Sequence, residues 1–242
     1  MKLLKTLSAA TCIAAAMALM PSCNSSDEKK TDGTKMDSTT VKHDSTMPPA
    51  KPDNILVVVH KVKDFDKWLP VFESDDSTQR ANGLTRTVLG RGIDDPNMVL
   101  VGFKMADYDK AKALGSSAEL KAKMEKGGVT GPPSMYYENM QVMDTSTNSM
   151  LDRVIMFHKV KDYDVWKKAF DDHKSVRANA GLTDRGVGYG FDDKNNVVVV
   201  LAINDMKKAR DFVKSPELKA RMDSAGVVGK PDIFFYHVVK KY

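Results

Sequence analysis

Two stretches of nine residues, HKVKDFDKW at His60–Trp68 and HKVKDYDVW at His158–Trp166, are nearly identical and lie 98 positions apart. The same shift aligns 88 residues of the two halves without a gap, and about 32 of these pairs are identical. A repeat of this length is too long for a solenoid unit and approaches the size of a small domain. The sequence therefore predicts two sister domains, repeat 1 (residues 54–145) and repeat 2 (residues 152–242), joined by a short linker.

The two repeats show the same order of predicted elements. Each begins with an apolar, β-branched run that predicts a buried strand. A helical stretch follows, in which Trp68 and Phe72, like Trp166 and Phe170, are spaced i, i+4. Two further strands, a second helical stretch and a closing strand complete each repeat, which is a ferredoxin-like β-α-β-β-α-β unit and places the chain in the α+β class. The middle strands are expected at residues 84–92, 98–104, 182–191 and 196–203.

One set of segments carries a family resemblance. The pattern HKVKDYDVWKKAF…AGL…DDKNNVVVVL…SPELKARMDSAGVVGKP resembles the dimeric α/β-barrel superfamily, near the antibiotic-biosynthesis-monooxygenase-like domains, and covers both repeats. Members of this superfamily usually pair two chains, sheet against sheet. The resemblance implies that the tandem repeats form this barrel within one chain, as an intramolecular pseudo-dimer. A physical reason supports the pairing, because a sheet with helices on one face leaves its other face bare until a second sheet covers it.

The N-terminus predicts export. Two lysines and an apolar run of about 14 residues precede Cys23, which is typical of a secretory signal peptide over residues 1–22. The segment LMPSC resembles a bacterial lipobox, which implies lipid on Cys23; an ordinary signal peptide with a coincidental Cys is the alternative. Residues 23–53 are polar and predict a disordered tether. We expect an exported protein held by this lipid in the bacterial cell envelope, at the outer membrane.

Charge and motif content narrow the functional classes. The net charge is +5, and basic and acidic residues are interspersed without a Lys/Arg block, which argues against nucleic-acid binding. The acidic DDPN and DDKN segments lack the length, central Gly and terminal Glu of a calcium loop, and they favour hairpin turns. Because no metal-ligand spacing, nucleotide-binding loop or nucleophile motif appears, the sequence predicts neither a metal site nor a cofactor.

Most of the repeated nine residues have a structural explanation. Asp64 and Asp162 suit helix N-caps, and the two tryptophans suit the core. Only His60 and His158 are unexplained, since each shares the apolar face of its strand by alternation. One interpretation is a buried, hydrogen-bonded core histidine that ties the strand to the start of the helix. The other is a pocket histidine that acts as base, ligand or hydrogen-bond donor, which makes both histidines candidates for catalysis.

Differences between the repeats favour repeat 2 as the one that keeps a working pocket. Polar or aromatic side chains occur there where repeat 1 has other residues, although surface drift explains the same differences. The predicted ligand-binding residues are His158, Trp166, His173, Arg177, Tyr189 and His237.

Three functions remain open at this point. The first is an envelope protein that binds a small apolar or aromatic ligand. The second, implied by the resemblance, is a cofactor-independent monooxygenase that acts on an aromatic substrate; the Asn, Trp and His set of haem-degrading relatives has no place here, because Asn139 has no counterpart in repeat 2. The third is a structural or interaction module. An apolar cavity favours binding, a cavity lined by titratable groups favours the enzyme, and the absence of a cavity favours the third.

Overall fold

The computed structural model describes residues 53–146 and 149–242. Repeat 1 contains four strands and four helices, and its first strand begins at Asp53, one residue before the expected start. Its elements are β1 (Asp53–Val62), α1 (Phe65–Ser74), α2 (Asp76–Ala81), β2 (Leu84–Gly92), β3 (Met98–Met105), α3 (Tyr108–Gly115), α4 (Ala118–Lys126) and β4 (Val129–Met143).

Repeat 2 follows the same order. Its elements are β5 (Asp152–Val160), α5 (Tyr163–Asp172), α6 (Lys174–Asn179), β6 (Leu182–Gly190), β7 (Asn196–Ile203), α7 (Met206–Val213), α8 (Pro216–Ser224) and β8 (Val227–Lys241). The middle strands agree with the sequence prediction to within one residue. The first predicted helical stretch of each repeat is divided into two short helices. In repeat 1 the division lies at Asp75, whose N–H bonds to the carbonyl of Phe72, three residues back rather than four. The second predicted stretch corresponds to α4 and α8, and the sequence prediction missed the short helices α3 and α7 that precede them.

The eight strands form one closed antiparallel barrel in the order β1-β3-β2-β8-β5-β7-β6-β4. The two repeats are joined at two seams, where β2 pairs with β8 and β4 pairs with β6. Closure leaves no open sheet edge among the described strands. The predicted fold is therefore confirmed: two ferredoxin-like units of one chain pair as an intramolecular α/β barrel.

Apolar side chains gather in three layers. One cluster lines the barrel interior and includes Ile55, Val57, Ile155 and Phe157. Each repeat has a second cluster between the outer face of its sheet and its helices. Because side chains alternate across a strand, Leu56 and Val58 face the helices while their neighbours in β1 face the barrel.

The corner between the first strand and the first helix of each repeat is held by the hairpin turn that joins the second and third strands. Asp64 caps α1 by accepting from Lys67 N (3.1 Å), as predicted. Asn97 Oδ1 accepts from Phe65 N (3.3 Å), and Asn97 Nδ2 donates to the Lys63 carbonyl (3.4 Å). Asp162 and Asn195 make the equivalent bonds in repeat 2. The DDPN and DDKN segments are therefore turns, as expected, and their Asn residues lock the corner.

The N-terminal predictions lie outside the described residues. The predicted signal peptide, Cys23 and nearly all of the predicted tether precede residue 53. Within residues 53–146 and 149–242, no helix is long and apolar enough to cross a membrane.

Candidate ligand-binding site

The repeated histidines lie between sheet and helices, on the face of the strand away from the barrel interior. His60 lies edge-on to Trp68 with ring centroids 5.4 Å apart and planes at 62°. His158 and Trp166 have the same separation and angle. The structure therefore places one His–Trp pair at the same point in each repeat.

Neither histidine is hydrogen-bonded within the part of the chain that the structure describes. Both ring nitrogens of His60 and of His158 are buried without a partner. The interpretation of a hydrogen-bonded histidine that ties the strand to the helix start is thus wrong, because Asn97 and Asn195 make that connection. Buried polar atoms are usually paired, so an unpaired imidazole is either tolerated in its neutral form or reserved for a ligand.

Burial determines the charge of these side chains. It lowers the pKa of His60 to about 4 and that of His158 to about 4, because the charged imidazolium loses its hydration. Both rings are consequently neutral at pH 7. A neutral imidazole offers one donor and one acceptor nitrogen, whereas a general base works best with a pKa near the operating pH. The lowered pKa values therefore favour hydrogen bonding to a ligand over proton abstraction.

A cavity of about 270 Å³ adjoins His60 in repeat 1. Its walls come from the outer face of the sheet and from the helices. They are mainly apolar and include Leu56, Val58, Phe72, Val101, Phe103, Leu114, Met124 and Met135. Polar groups of Asp75, Gln79 and Lys123 also contribute to the lining, and Lys123 Nζ bonds to Asp75 Oδ1 (3.1 Å). Such a chamber suits a small apolar or aromatic molecule with at most one or two polar groups.

The equivalent cavity in repeat 2 is only about 70 Å³. Four of the residues predicted to bind ligand line it: His158, Trp166, His173 and Arg177. The other two lie elsewhere. Tyr189 packs against Tyr163 with ring centroids 4.9 Å apart, and the exposed His237 bonds through Nδ1 to Asp152 Oδ1 (2.7 Å). The structure thus gathers four of the six residues, but around the smaller chamber.

Several wall positions carry larger side chains in repeat 2, although Leu201 and Ala169 there are smaller than Phe103 and Val71 of repeat 1. Phe212 stands where repeat 1 has Leu114, and both line their cavities. Two further enlargements in repeat 2 are Met156 for Val58 and Ala225 for Gly127. These side chains fill space that repeat 1 leaves open.

A guanidinium group lies over the first-helix phenylalanine in repeat 1. The Arg86 guanidinium carbon, from β2, lies 4.0 Å from the ring centre of Phe72. Arg86 Nε donates to Gln79 Oε1 (2.6 Å), and Nη1 donates to Glu73 Oε2 (3.0 Å). These bonds anchor α1 and α2 to the sheet beside the cavity.

In repeat 2 the arginine of the equivalent contact comes from a helix instead of from the sheet. Arg177, on helix α6, lies 3.5 Å over the Phe170 ring, and Asp184 on β6 stands where repeat 1 has Arg86. Arg177 Nε and Nη2 each donate to an Asp184 oxygen at 2.7 Å. The arginine predicted as a ligand-binding residue is therefore held in a bidentate pair within the protein.

A buried carboxyl group in the barrel is among the residues that the sequence prediction missed. Glu138 on β4 is 4 % exposed, and its Oε2 has no partner among the described residues. Burial raises its pKa to about 8, so the side chain is largely protonated at pH 7. Strand alternation was the available signal, because Glu138 falls between Tyr136 and Met140, which both belong to the barrel core.

The described residues contain no group of three or more His, Cys, Asp or Glu side chains arranged to hold a metal ion. The two polar clusters nearest the cavities, around Arg86 and Arg177, are instead ion pairs between protein groups.

Comparison with known proteins finds similarity in structure only. No family model and no curated protein matches the sequence. An anthrone oxidase-like protein matches with a TM-score of 0.52 and 13% identity, over 78% of this chain and 92% of its own. A candidate monooxygenase from Fusobacterium nucleatum matches with a TM-score of 0.51 and 12% identity, over 79% of this chain and 94% of its own.

A candidate chlorite dismutase is similar to the same extent, with a TM-score of 0.50 and 15% identity, over 78% of this chain and 95% of its own. Likeness at this level of identity establishes the fold and leaves activity open. With the closed barrel and its two β-α-β-β-α-β units, these matches show that the chain has the ferredoxin-like, dimeric α/β-barrel fold of the monooxygenase-like proteins, with both halves in one chain.

Proposed function

We propose that the protein binds a small apolar or aromatic molecule in the cavity of repeat 1. The observation that carries this function is the apolar chamber of about 270 Å³ with an unpaired imidazole in its wall. Burying an apolar ligand there stabilises the complex by about 25 cal/mol for each Å² of apolar surface removed from water. A polar group of the ligand, such as a phenolic hydroxyl, would reach a ring nitrogen of His60 once the side chain turns towards the cavity, because both nitrogens are shielded without ligand.

A matched pair of variants tests this site, with 1-naphthol as the probe. Leu114→Phe installs the residue of repeat 2 and fills the larger cavity, so we expect 1-naphthol affinity to fall at least tenfold in a fluorescence titration. Phe212→Leu makes the reverse change in repeat 2 and is the control. It should leave the affinity of the repeat 1 cavity for 1-naphthol unchanged. If 1-naphthol binds to Leu114→Phe as tightly as to the parent chain, the ligand does not occupy the repeat 1 cavity.

The apolar cavity beside His60 also supports a second candidate, cofactor-independent oxygenation of an aromatic substrate. This chemistry needs the substrate to lose a proton in a chamber shielded from water, and one structural neighbour is an anthrone oxidase-like protein. Oxygen consumption measured with anthrone separates the two functions. Uptake that His60→Leu abolishes would establish the enzyme, and binding without uptake leaves the binding function in place.

The proposed binding protein is an envelope lipoprotein anchored through Cys23. The lipobox-like LMPSC segment and the polar residues after it support this proposal. One acyl chain anchors weakly and several anchor stably, so we expect the protein in the membrane fraction of the cell that makes it. Cys23→Ser should move it to the soluble fraction, as followed by immunoblot. An unchanged distribution would contradict lipid anchoring and leave the ligand site unaffected.

A further inference from the structure

The barrel interior contains a third chamber, separate from the two cavities under the helices. It has a volume of about 400 Å³ and lies where β1 and β5 begin and β4 and β8 end. Its walls are largely aliphatic, with Val57, Leu100, Ile155, Val198 and Val238 facing inward. The seam strands of both repeats contribute, so the chamber exists only because the two repeats pair.

Two buried arginines distinguish this chamber from an ordinary apolar core. Arg153 on β5 is 4 % exposed and Arg185 on β6 is 9 % exposed, and both line the cavity. At the equivalent positions repeat 1 has Ile55 and Thr87. The pseudo-symmetric barrel therefore carries its cations on one side only.

Both arginines have protein partners that hold them in place. Arg185 Nη1 bonds to Asp144 Oδ2 (2.6 Å) and Nη2 donates to the Ser146 carbonyl (2.7 Å). Arg153 Nη1 donates to the Asp152 carbonyl (2.9 Å), while the Asp152 carboxylate bonds to His237. The guanidinium groups are positioned beforehand, which reduces the entropy lost when a ligand binds.

The charge balance of the lining favours an anion. Among the side chains of the described lining residues, those of Arg153, Arg185 and Lys241 are cationic and that of Asp144, paired with Arg185, is anionic. An arginine pair in a poorly hydrated site binds carboxylates strongly, because charge-assisted hydrogen bonds are short and the guanidinium fork matches the carboxylate. The buried phenol of Tyr236 also lines the chamber and can donate a hydrogen bond.

We propose that the barrel interior binds a medium-chain aliphatic monocarboxylate, with its carboxylate at Arg153 and Arg185 and its chain between Ile155, Val198 and Val238. The two halves of the chamber indicate this class of ligand, since the cationic end favours an anion and the aliphatic walls favour an apolar tail. This site is distinct from the repeat 1 cavity, which has a neutral imidazole and no buried cation in its wall.

Calorimetric titration of the full chain carrying Cys23→Ser provides the test, with octanoate, 1-octanol and octylammonium as probes of one chain length and three head groups. We expect octanoate to bind one to one and at least tenfold more tightly than 1-octanol, and octylammonium to bind more weakly than either. This comparison uses the unmodified chamber and does not depend on how a variant folds. Octanoate binding no tighter than 1-octanol binding would overturn the proposal.

Variants that install the residues of repeat 1 locate the site. Arg153→Ile and Arg185→Thr should each weaken octanoate binding at least tenfold with little effect on 1-octanol, and Lys241→Ala at the exposed rim should weaken it about twofold. If circular dichroism shows that an arginine variant does not fold, Lys241→Ala tests whether octanoate binds in the barrel. Leu114→Phe fills the other cavity and should leave octanoate binding unchanged; loss in Leu114→Phe with retention in Lys241→Ala would overturn the assignment to the barrel.

Discussion

The two repeats share the same corner contacts but differ in the volume of the cavity between sheet and helices. The His–Trp pairs have identical separations and angles in both, and the corner between strand and helix is closed by the same caps and the same Asn bonds. The cavities beside these pairs nevertheless differ about fourfold, at about 270 Å³ and about 70 Å³. The nearly identical nine residues therefore build a corner, and less similar residues far along the chain decide whether a chamber forms beside it.

This comparison separates local from distant determinants. Phe212 and Leu114 lie on the third helix of their repeats, about 46 residues after the paired tryptophans, yet they reach the same chamber. Similarly, the guanidinium over the phenylalanine comes from the sheet in repeat 1 and from a helix in repeat 2. A repeated motif thus does not imply that both copies keep the same function.

The largest expected effect concerns the two tryptophans. Trp-to-Ala truncation in a core destabilises by about 3–5 kcal/mol, and the loss depends on how many contacts disappear. We expect Trp166→Ala to fall near the upper end, because its surroundings are filled, and Trp68→Ala near the lower end, because it already borders a cavity. Urea denaturation measures both, with the exposed Val165→Ala as a control that should change stability little. A greater loss for Trp68→Ala would contradict the proposed difference in packing.

A smaller effect, equal in the two repeats, is expected from the histidines. Burial lowers the pKa of His60 to about 4 and of His158 to about 4, from 6.5. As the pH falls through 6.5, the unfolded chain takes up protons that the folded chain refuses until about pH 4. Each histidine therefore removes about 3 kcal/mol of stability between pH 7 and pH 4.

Replacing each histidine by Leu should remove its share of this acid destabilisation. Denaturation curves of His60→Leu, His158→Leu and the double variant at pH 7, 5.5 and 4 measure it. Equal shifts would confirm that the two rings are equally desolvated despite the different cavities beside them. If the double variant loses as much stability on acidification as the parent chain, burial does not govern these side chains.

The smallest effect concerns the caps of the last helix in each repeat. Ser117 accepts from Leu120 N (3.1 Å), and Ser215 accepts from Leu218 N (3.0 Å). Ser-to-Ala at an N-cap costs about 1 kcal/mol, so both variants should lose about this amount in thermal unfolding. Markedly unequal losses would show that Pro216, present at the first helical position of α8 only, changes what the cap contributes.

The secondary structure was predictable because its signals are local. The i, i+4 aromatic pairs and the caps at Asp64 and Asp162 all act within one turn of helix, and each is present in the structure. The pairing of the repeats was predictable too, because a one-sided sheet must cover its bare face. Alternation also placed the histidines on one face with Leu56, Val58, Val154 and Met156, although it does not tell which side of the sheet that face meets.

The sequence by itself determined the duplication, the order of elements and the corner that the repeated nine residues build, since each depends on neighbours in the chain or on the 98-residue shift. Only the tertiary structure decided that the histidines lack partners, that the larger chamber belongs to repeat 1, and that Glu138, Arg153 and Arg185 are buried in the barrel. The physical reason is that a cavity or a buried charge is the combined result of side chains from several elements. Their volumes and charges sum in space, and no window of sequence contains them together.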